Sequence, residues 1–150
     1  EHLLQPLGID KHDFWSLDGQ LHSGSALYLT SRAMLKFGEL FLDGGVWQGA
    51  RIISQQWVEA STQQQFGVGT NGLQGYGYHW WMNKFNVAGQ TYDSYYANGY
   101  GGQYIFVFPE LDLVVVFNGR AFEDGQASEL SYRIMLETDI LPGFVAAKAN

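Results

Sequence analysis

The amino-acid sequence predicts an α/β fold of the α+β type, in which one antiparallel sheet is covered by helices. Two apolar runs, Tyr104–Phe108 and Leu113–Phe117, are separated by Pro109–Asp112, whose proline and polar residues are typical of a turn. Both runs are rich in aromatic and β-branched residues and are too short for helices, so they predict a β-hairpin. Because neither run alternates polar with apolar side chains, we expect this hairpin to be covered on both faces.

The composition is that of one folded domain with a single core. The chain has 150 residues, of which 46% are hydrophobic and 16% aromatic, and this excludes a disordered chain. Its net charge is −7 and its basic residues are scattered singly, which argues against a nucleic-acid partner. With no cysteine, disulfides and thiolate metal sites are excluded, and the cellular compartment stays open. No apolar run reaches the length of a membrane span.

The first residues predict a helix end followed by a loop. Residues Glu1–Ile9 are typical of the last turn of a helix, ended by Pro6 and Gly8. Such a short stretch cannot nucleate a helix alone, so we expect the chain to be cut from a longer protein. Asp10–Gly24 is polar and predicts an irregular surface loop. Its acidic residues and His12 lack the spacing of metal ligands, so no metal or other cofactor is predicted.

A first amphipathic helix is predicted over Ser31–Leu42, with Thr30 as its N-cap. Its apolar stripe has helical spacing and consists of Met34, Phe37, Gly38 and Phe41. Asp43-Gly44-Gly45 is a strong signal for the helix end.

A second helix is predicted to follow a tight turn over Val46–Arg51. Ser54 is its N-cap, Trp57 and Val58 are expected to face inward, and the helix fades in the glutamines at 63–65.

The central part of the chain predicts strands. After a glycine-rich loop over Phe66–Gly75, the aromatic segment Gly75–Met82 is predicted to be one strand. Asn83–Gln90 is predicted to be a turn, and Thr91–Tyr96 a further strand that leads into Gly99–Gln103.

The last element is predicted to be a helix over Gly125–Ile140, capped by Asp124. Its stripe toward the sheet would contain Ala127, Leu130, Ile134 and Leu141. Leu141-Pro142-Gly143 is expected to end the helix, and the tail to Asn150 is expected to fray.

The predicted sheet is incomplete at one side. Leu113–Phe117 is its most apolar strand, yet the sequence offers only one partner strand nearby. A bare apolar edge is a liability that proteins normally cover. We therefore expect this edge to be covered by another chain, by a swapped element, by the chain's own ends, or by an N-terminal part of the protein that is missing here.

The residues alone do not reveal a nucleophile. No serine is followed three residues later by lysine, and no Gly-x-Ser-x-Gly elbow occurs. The glycine-rich Gly99–Gln103 segment precedes a strand, so it is not a phosphate loop; it is either a bulge or a place of close approach. The carboxylate pairs Glu110 with Asp112 and Glu123 with Asp124 are typical of solvated turns.

The aromatic side chains leave two alternatives open. Tyr78, Trp81 and Tyr96 could stack on sugar rings or a peptide, or they could be core and edge packing. The first alternative corresponds to a binding module rather than an enzyme.

Several short motifs together resemble one family. They are Gln5–Gly8, Gly24–Gly38, Leu42–Gly45, Ile52–Ser54, Trp57-Val58, Tyr76–Trp81, Gly99–Gln103 and the hairpin around Pro109-Glu110. In this combination they resemble the serine beta-lactamase-like family, the group of class C beta-lactamases, penicillin-binding-type peptidases, esterases and amide hydrolases. The resemblance covers nearly the whole chain and implies a beta-lactamase/transpeptidase-like fold of which residues 1–150 are a C-terminal portion.

The resemblance implies a serine hydrolase that works through an acyl-enzyme. Family members carry a Ser-x-x-Lys box, a Tyr-x-Asn box and a Lys- or His-x-Gly box on a strand at the cleft. Tyr100-Gly101-Gly102 matches the third box, and by the same match the N–H of Gln103 would be one oxyanion-hole donor. The substrate would be a small ester, amide or beta-lactam-type molecule, and the family makes a periplasmic or secreted location plausible.

The sequence departs from the family pattern at each of the three boxes. The Ser-x-x-Lys box is absent, so no catalytic residue is predicted in this chain, the nucleophile is expected upstream, and the chain alone is expected to be inactive. Tyr96-Ala97-Asn98 has the letters of the second box but directly precedes the third, so we interpret it as accidental. Tyr100 replaces the usual cation, which favours esters or amides over beta-lactams. A non-catalytic pseudo-enzyme domain is a further alternative.

Overall fold

The computed structural model describes residues 2–14, 16–17, 20–21, 27–67, 75–119 and 131–148. Its helices are α1 (Ser31–Leu42), α2 (Gln55–Thr62) and a C-terminal helix over residues 131–148. Within the C-terminal helix, Leu136–Ile140 form a π-helical turn and Leu141–Lys148 form a regular α-helix, α3. No helix in these ranges is long and apolar enough to cross a membrane.

Three short ribbons lie in the first part of the chain. Strand β1 (His12–Phe14) pairs with β4 (Leu27–Leu29), β2 (Ser16–Leu17) with β3 (Gln20–Leu21), and β5 (Val46–Trp47) with β6 (Ala50–Arg51). The prediction of an irregular loop over Asp10–Gly24 is therefore wrong where these strands form. The tight turn predicted before α2 is confirmed as the reversal of the third ribbon.

The main sheet has five antiparallel strands in the order β11-β10-β9-β8-β7. The strands are β7 (Gly75–Tyr76), β8 (Trp81–Val87), β9 (Gln90–Gly99), β10 (Gln103–Phe108) and β11 (Leu113–Asn118). Each strand is joined to the next by a short connection, so the sheet is a meander. The predicted antiparallel sheet with helices is confirmed.

The predicted hairpin of β10 and β11 is confirmed. Tyr104 lies opposite Phe117, and Phe108 lies opposite Leu113. Pro109–Leu111 form one 3₁₀ turn, and Asp112 completes the reversal in the left-handed conformation with φ of 53°.

Helices cover both faces of the sheet. On one face, Ile105 and Val107 of β10 pack with Met34 and Phe41 of α1 around the buried Trp80. On the other face, Tyr104, Phe106 and Phe108 pack with Leu136 and Leu141 of the C-terminal helix. Alternate residues of β10 therefore enter two separate apolar layers, which explains why this strand has no polar side.

Helix α1 begins and ends at the predicted residues. The Thr30 hydroxyl accepts the N–H of Ala33 at 3.2 Å and caps the first turn. At the other end, the N–H of Gly45 donates to Leu40 and that of Gly44 to Phe41, with Gly44 at φ of 61°. This pair of bonds is a Schellman motif, in which glycine adopts the left-handed conformation without steric cost.

Helix α2 has the predicted N-cap but not the predicted inner face. The Ser54 hydroxyl accepts the N–H of Trp57 at 3.1 Å, and Val58 is buried. The Trp57 side chain, however, is 50% exposed and stacks on the ring of Tyr78. The prediction that Trp57 faces inward is wrong, because its ring packs along the surface against a loop.

The aromatic segment Gly75–Met82 is a hairpin and not one strand. Gly75 pairs with Met82 and Tyr76 with Trp81, while the N–H of Gly77 donates to Trp80 at 2.8 Å to close the turn. His79 adopts φ of 65° within this turn. The predicted turn over Asn83–Gln90 is also wrong: the chain continues as β8, and only Ala88-Gly89 reverse it.

The C-terminal helix differs from its prediction in position and in packing face. Asp124 and the start of the predicted helix lie outside the described residues. The helix continues through Pro142 and Gly143 to Lys148, so the predicted end is wrong. A wide π turn directly precedes Pro142, where an α turn would bring the proline ring against a carbonyl.

The same π turn changes which side chains meet the sheet. Leu136 and Leu141 are fully buried, whereas Ile134 is 51% exposed. A π turn inserts one residue into the helical repeat, so the inner stripe advances by one position after Leu136. Leu141 is therefore correctly predicted and Ile134 is not.

The N-terminal residues form hydrogen-bonded turns with a helix-end geometry. The N–H of Ile9 donates to Leu4, and that of Gly8 donates to Gln5, both at 2.9 Å. The Lys36 ammonium of α1 donates to the carbonyls of Leu7 and Gly8, each at 2.9 Å. A cation on the last carbonyls stabilises such a terminus.

Strand β11 lies at the end of the sheet. Within the described residues it pairs with β10 alone. A groove of about 420 Å³ runs beside it, between α1, the β5–β6 ribbon and Val114. Carboxylates of Glu39, Asp43 and Asp112 line this groove.

Candidate functional site

The predicted site residues lie in the reversal between β9 and β10. The N–H of Gly102 donates to the carbonyl of Gly99 at 3.3 Å, so Tyr100 and Gly101 are the central residues of a β-turn. Gly101 has φ of 101° and Gly102 has φ of 90°. A positive φ at the third position is typical of a type II turn, which requires glycine there. The segment is therefore a tight hairpin turn and not a run of strand.

The four predicted residues differ in exposure. The Tyr100 side chain is 84% exposed at the tip of the turn, and Gln103 is half-buried. Gly101 and Gly102 are buried. The structure thus brings the four residues together, but the two glycines lie on the protein side of the turn.

The N–H of Gln103 has a defined direction. The carbonyl of Gly102 accepts the N–H of Gly119 at 2.8 Å and so points toward the end of β11. Because C=O and N–H of one trans peptide point in opposite directions, the N–H of Gln103 points toward β9. Its residue partner there is Gly99, directly opposite in the register.

Strand β9 has an open side next to this turn. Its pairing with β8 ends at Tyr96, which lies opposite Trp81, the first residue of β8. Strand β9 continues to Gly99, so Ala97, Asn98 and Gly99 pair with β10 only, among the residues that the structure describes. Peptide groups alternate in direction along an antiparallel strand. Since Gly99 faces β10, the N–H and C=O of Asn98 face the open side.

Hydrogen bonds hold the end of β11 against the turn and against α1. The Gln103 side-chain amide donates to the carbonyl of Gly119 at 3.0 Å. The side chain of Asn118 donates to the hydroxyl of Ser31, the first residue of α1, at 3.3 Å. The turn, the end of β11 and the start of α1 therefore meet at one end of the sheet.

The chemistry available at this end is neutral. The four predicted positions are tyrosine, two glycines and glutamine, none of which carries a charge at neutral pH. Further along β9, burial raises the pKa of the Tyr95 phenol above its usual range, so Tyr95 stays protonated at neutral pH. Its ring packs edge-on against Trp80 with centroids 5.2 Å apart. The site can offer peptide groups and hydroxyls, but not a charged partner from these positions.

The aromatic platform considered from the sequence does not form. Tyr96 is 2% exposed and stacks on Phe106 inside the core. Trp81 packs on Tyr76 with centroids 4.5 Å apart, and Tyr78 stacks on Trp57. Since Tyr96 is enclosed in the core and Trp81 and Tyr78 each pack on a different ring, the three side chains do not form one exposed face. As a set, this prediction is wrong.

Within the described ranges, no group of three or more His, Asp or Glu side chains is arranged to hold a metal ion. The open side of β9 is the feature that sequence analysis missed. Ala97-Asn98 was set aside there as part of an accidental motif, and no local signal reveals that β8 starts late enough to leave these residues unpaired.

Comparisons with known proteins add a family and a fold. The family model described as Beta-lactamase matches residues 7–138. A search of the curated proteins found no significant match. Among solved structures, the chain is similar to a protein from Bacteroides dorei DSM 17855 assigned as a beta-lactamase, with a TM-score of 0.58 and 18% identity. It is also similar to a protein from Bacillus anthracis assigned as a 6-aminohexanoate-dimer hydrolase, with a TM-score of 0.53 and 21% identity.

The chain spans less than half of either solved structure. It covers 48% of the Bacteroides dorei protein and 30% of the Bacillus anthracis protein. The matched regions take up 88% and 75% of this chain, respectively. At these identities the likeness concerns the fold.

Proposed function

Because the chain belongs to the beta-lactamase family, we propose that it is the C-terminal part of a serine hydrolase that forms an acyl-enzyme. In this proposal, residues 1–150 supply the main sheet, one wall of the substrate cleft and one oxyanion-hole donor. The nucleophile and its base lie upstream of residue 1. The substrate is a small molecule with an ester, amide or beta-lactam-type bond.

One observation carries the proposal: strand β9 has an open side that continues directly into the Tyr100 turn. Backbone groups of Asn98 face this side, where β8 does not reach. An acyl group or amide that lies along such an edge is fixed by main-chain hydrogen bonds, as an added strand would be. A rigid strand holds its N–H groups in place, so developing negative charge is stabilised without reorganisation.

The proposal contains two candidates for the oxyanion donor. The resemblance assigns the N–H of Gln103, which points toward Gly99 and would have to leave that pairing to act. The N–H of Asn98 already points toward the open side. Geometry therefore favours Asn98, with Tyr100 and the Gly101–Gln103 backbone as the adjoining wall.

Tyr100 narrows the substrate class. A lysine or histidine at this place would bind a substrate carboxylate, whereas an exposed phenol offers a ring face and one hydroxyl. A carboxylate buried without a cation is costly. Neutral esters and amides are therefore favoured over beta-lactams, whose carboxylate needs a positive partner.

The upstream part of the protein is proposed to pair with β11. Within the described residues, the outer side of Leu113–Phe117 has no paired strand, and a groove lined by both apolar and carboxylate side chains runs beside it. A strand added there would extend the sheet to a sixth position. A second chain could occupy the same edge, and the two partners differ in whether pairing depends on protein concentration.

The first test uses the isolated chain with p-nitrophenyl acetate. We expect no burst of p-nitrophenol and no serine adduct in the intact mass, because the nucleophile is outside the chain. A stoichiometric adduct on any serine of residues 1–150 would overturn the proposal.

The second test distinguishes the two donors in the longer protein. Replacement of the peptide N–H by an ester oxygen at residue 98 or at residue 103 removes one donor and keeps the side chain. Loss of one oxyanion donor lowers kcat by about 10²–10³-fold. We expect this loss at residue 98 and a smaller change at residue 103. A larger loss of kcat at residue 103 than at residue 98 would assign the oxyanion donor to Gln103. If kcat is unchanged at both residues, this chain supplies no oxyanion donor.

A further inference from the structure

We infer that Tyr132, in the C-terminal helix, is a positioning residue for the Tyr100 turn. It acts through its hydroxyl, which lies in a pocket formed by Gly102 and Gly119. This inference rests on the proposed function, because it concerns the same turn. It assigns the C-terminal helix a part in shaping the site, although no residue of that helix lies in the turn.

The hydroxyl of Tyr132 occupies the space that side chains at two glycines would need. A Cβ added to Gly102 would lie 2.9 Å from the Tyr132 hydroxyl oxygen, and a Cβ added to Gly119 would overlap it. Atoms at such distances cannot coexist without movement. The two glycines and the phenol are therefore fitted to one another.

The ring of Tyr132 is fixed from the other side by the sheet. Its centroid lies 4.5 Å from that of Phe117 and 4.9 Å from that of Tyr104. These two residues lie opposite each other on β11 and β10. Aromatic contacts of this kind hold a ring in one orientation, so the hydroxyl is delivered to the glycines by a rigid support.

The glycines in turn determine the backbone of the turn. The N–H of Gly119 donates to the carbonyl of Gly102 at 2.8 Å, and the carbonyl of Gly119 accepts a hydrogen bond from the side-chain amide of Gln103 at 3.0 Å. The direction of the Gly102 peptide decides which way the N–H of Gln103 points. A displacement of Gly119 by the phenol is thus transmitted to the turn through two hydrogen bonds.

This arrangement also explains one glycine differently from the sequence analysis. From the sequence alone, the Gly99–Gln103 segment is either a bulge or a place of close approach. The Cβ position of Gly102 faces Tyr132 inside the protein, so the smallness of this residue serves the packing of the phenol, in addition to its φ of 90°.

The test is a double-mutant cycle at Gly119 and Tyr132. Gly119 has no left-handed φ, so alanine is compatible with the backbone conformation there. Its Cβ would overlap the Tyr132 hydroxyl, and it would also lie 3.0 Å from the carbonyl oxygen of Gly102. Tyr132→Phe removes the hydroxyl and keeps the ring. The matched control is Tyr28→Phe, since Tyr28 is exposed on β4.

The first measurement uses amide resonances and hydrogen exchange of the isolated chain. We expect Gly119→Ala to shift the amide resonances of Gly101 and Gly102 and to speed exchange at residue 119 about tenfold, the effect of losing one hydrogen bond. Addition of Tyr132→Phe should reverse most of this increase in the exchange rate, because it removes the closer of the two contacts and leaves the one with the Gly102 carbonyl. Unmoved turn resonances, or equal rescue by Tyr28→Phe, would overturn the inference.

The second measurement uses acylation of the longer protein by p-nitrophenyl acetate. We expect Gly119→Ala to lower kcat about tenfold with little change in KM, and Tyr132→Phe to restore most of it, since misplaced donors affect the transition state more than binding. An unchanged kcat despite a moved turn would overturn the positioning role. If the unsubstituted protein forms no acyl-enzyme, the proposed function fails, while the first measurement still decides whether Tyr132 holds the turn.

Discussion

The contact between α1 and the sheet depends on Gly38, and its replacement by alanine gives a sharp prediction. Gly38 is buried where the helix crosses β10 and β11. A Cβ at this position would lie 2.5 Å from a methyl of Val114 and 2.8 Å from a methyl of Ile105. Both neighbours are β-branched and have restricted side-chain rotation, so neither can turn away cheaply.

The expected magnitude follows from two opposing effects. Alanine in a helix interior is favoured over glycine by about 1 kcal/mol. Overpacking of a well-packed core costs about 1–3 kcal/mol, and two stiff neighbours place Gly38→Ala in the upper part of that range. The net loss should be about 1–2 kcal/mol of unfolding free energy, or roughly 2–8 °C in Tm for a chain of this size.

The assay is urea unfolding followed by circular dichroism, with Gly143→Ala as the matched control. Gly143 also lies in a helix, but among the described residues no atom outside its own neighbourhood lies within 4 Å of its Cβ position. Gly143→Ala should therefore stabilise the chain by up to about 1 kcal/mol. Val114→Ala combined with Gly38→Ala should recover part of the loss, because it removes the closer methyl. If Gly38→Ala stabilises the chain as much as Gly143→Ala does, the proposed packing of α1 on the sheet is wrong.

Three further predictions concern single residues. Trp80→Ala should lower the free energy of unfolding by about 3–5 kcal/mol, because the ring is buried between α1 and Tyr95. Trp57→Ala should lower it clearly less, because Trp57 is half-exposed, and urea unfolding compares the two variants. Burial raises the pKa of the Tyr95 phenol, so on alkalinisation the unfolded chain loses this proton before the folded chain does. The free energy of unfolding should therefore fall by about 1.4 kcal/mol per pH unit above about pH 10. In Tyr95→Phe, urea unfolding at increasing pH should no longer show this part of the decrease. Lys36→Met should cost about 1.5–3 kcal/mol because the ammonium donates to the Leu7 and Gly8 carbonyls, and an unchanged urea midpoint would contradict that role.

Elements with strong local signals were predicted well. The cap at Thr30 and the glycines after Leu42 define α1 within the sequence itself. The hairpin of β10 and β11 is likewise predicted by two short apolar runs and the proline turn between them. In each case the residues that form the element also contain the signals for its ends.

Elements that depend on contacts between distant residues were not predicted. At the reversal over Gly77–Trp80, Gly77 packs against the C-terminal end of α2. A Cβ at Gly77 would meet the backbone carbonyls of Ser61 and Gln63 there. The alternating aromatic pattern gives no sign of this reversal, since a hairpin and a strand have the same periodicity. The π turn before Pro142 similarly changes the helix face by one residue, which a regular helical repeat cannot anticipate.

The candidate site shows the same division. The turn at Tyr100–Gln103 can be predicted from the sequence because closely spaced glycines precede an apolar run. The open side of β9 results from the different lengths of β8 and β10, so it exists only once three strands are paired. The pocket for Tyr132 likewise joins residues on a turn, a strand end and a helix.

We propose that this chain shapes the cleft of a serine hydrolase whose nucleophile lies upstream. This proposal is tested most directly by mass spectrometry of the longer protein after reaction with an activated ester, with proteolytic mapping of the acylated residue. We expect one acyl group per molecule on a serine that precedes residue 1, and none on residues 1–150. Acylation of a serine within residues 1–150, or a longer protein that forms no covalent adduct, would contradict it.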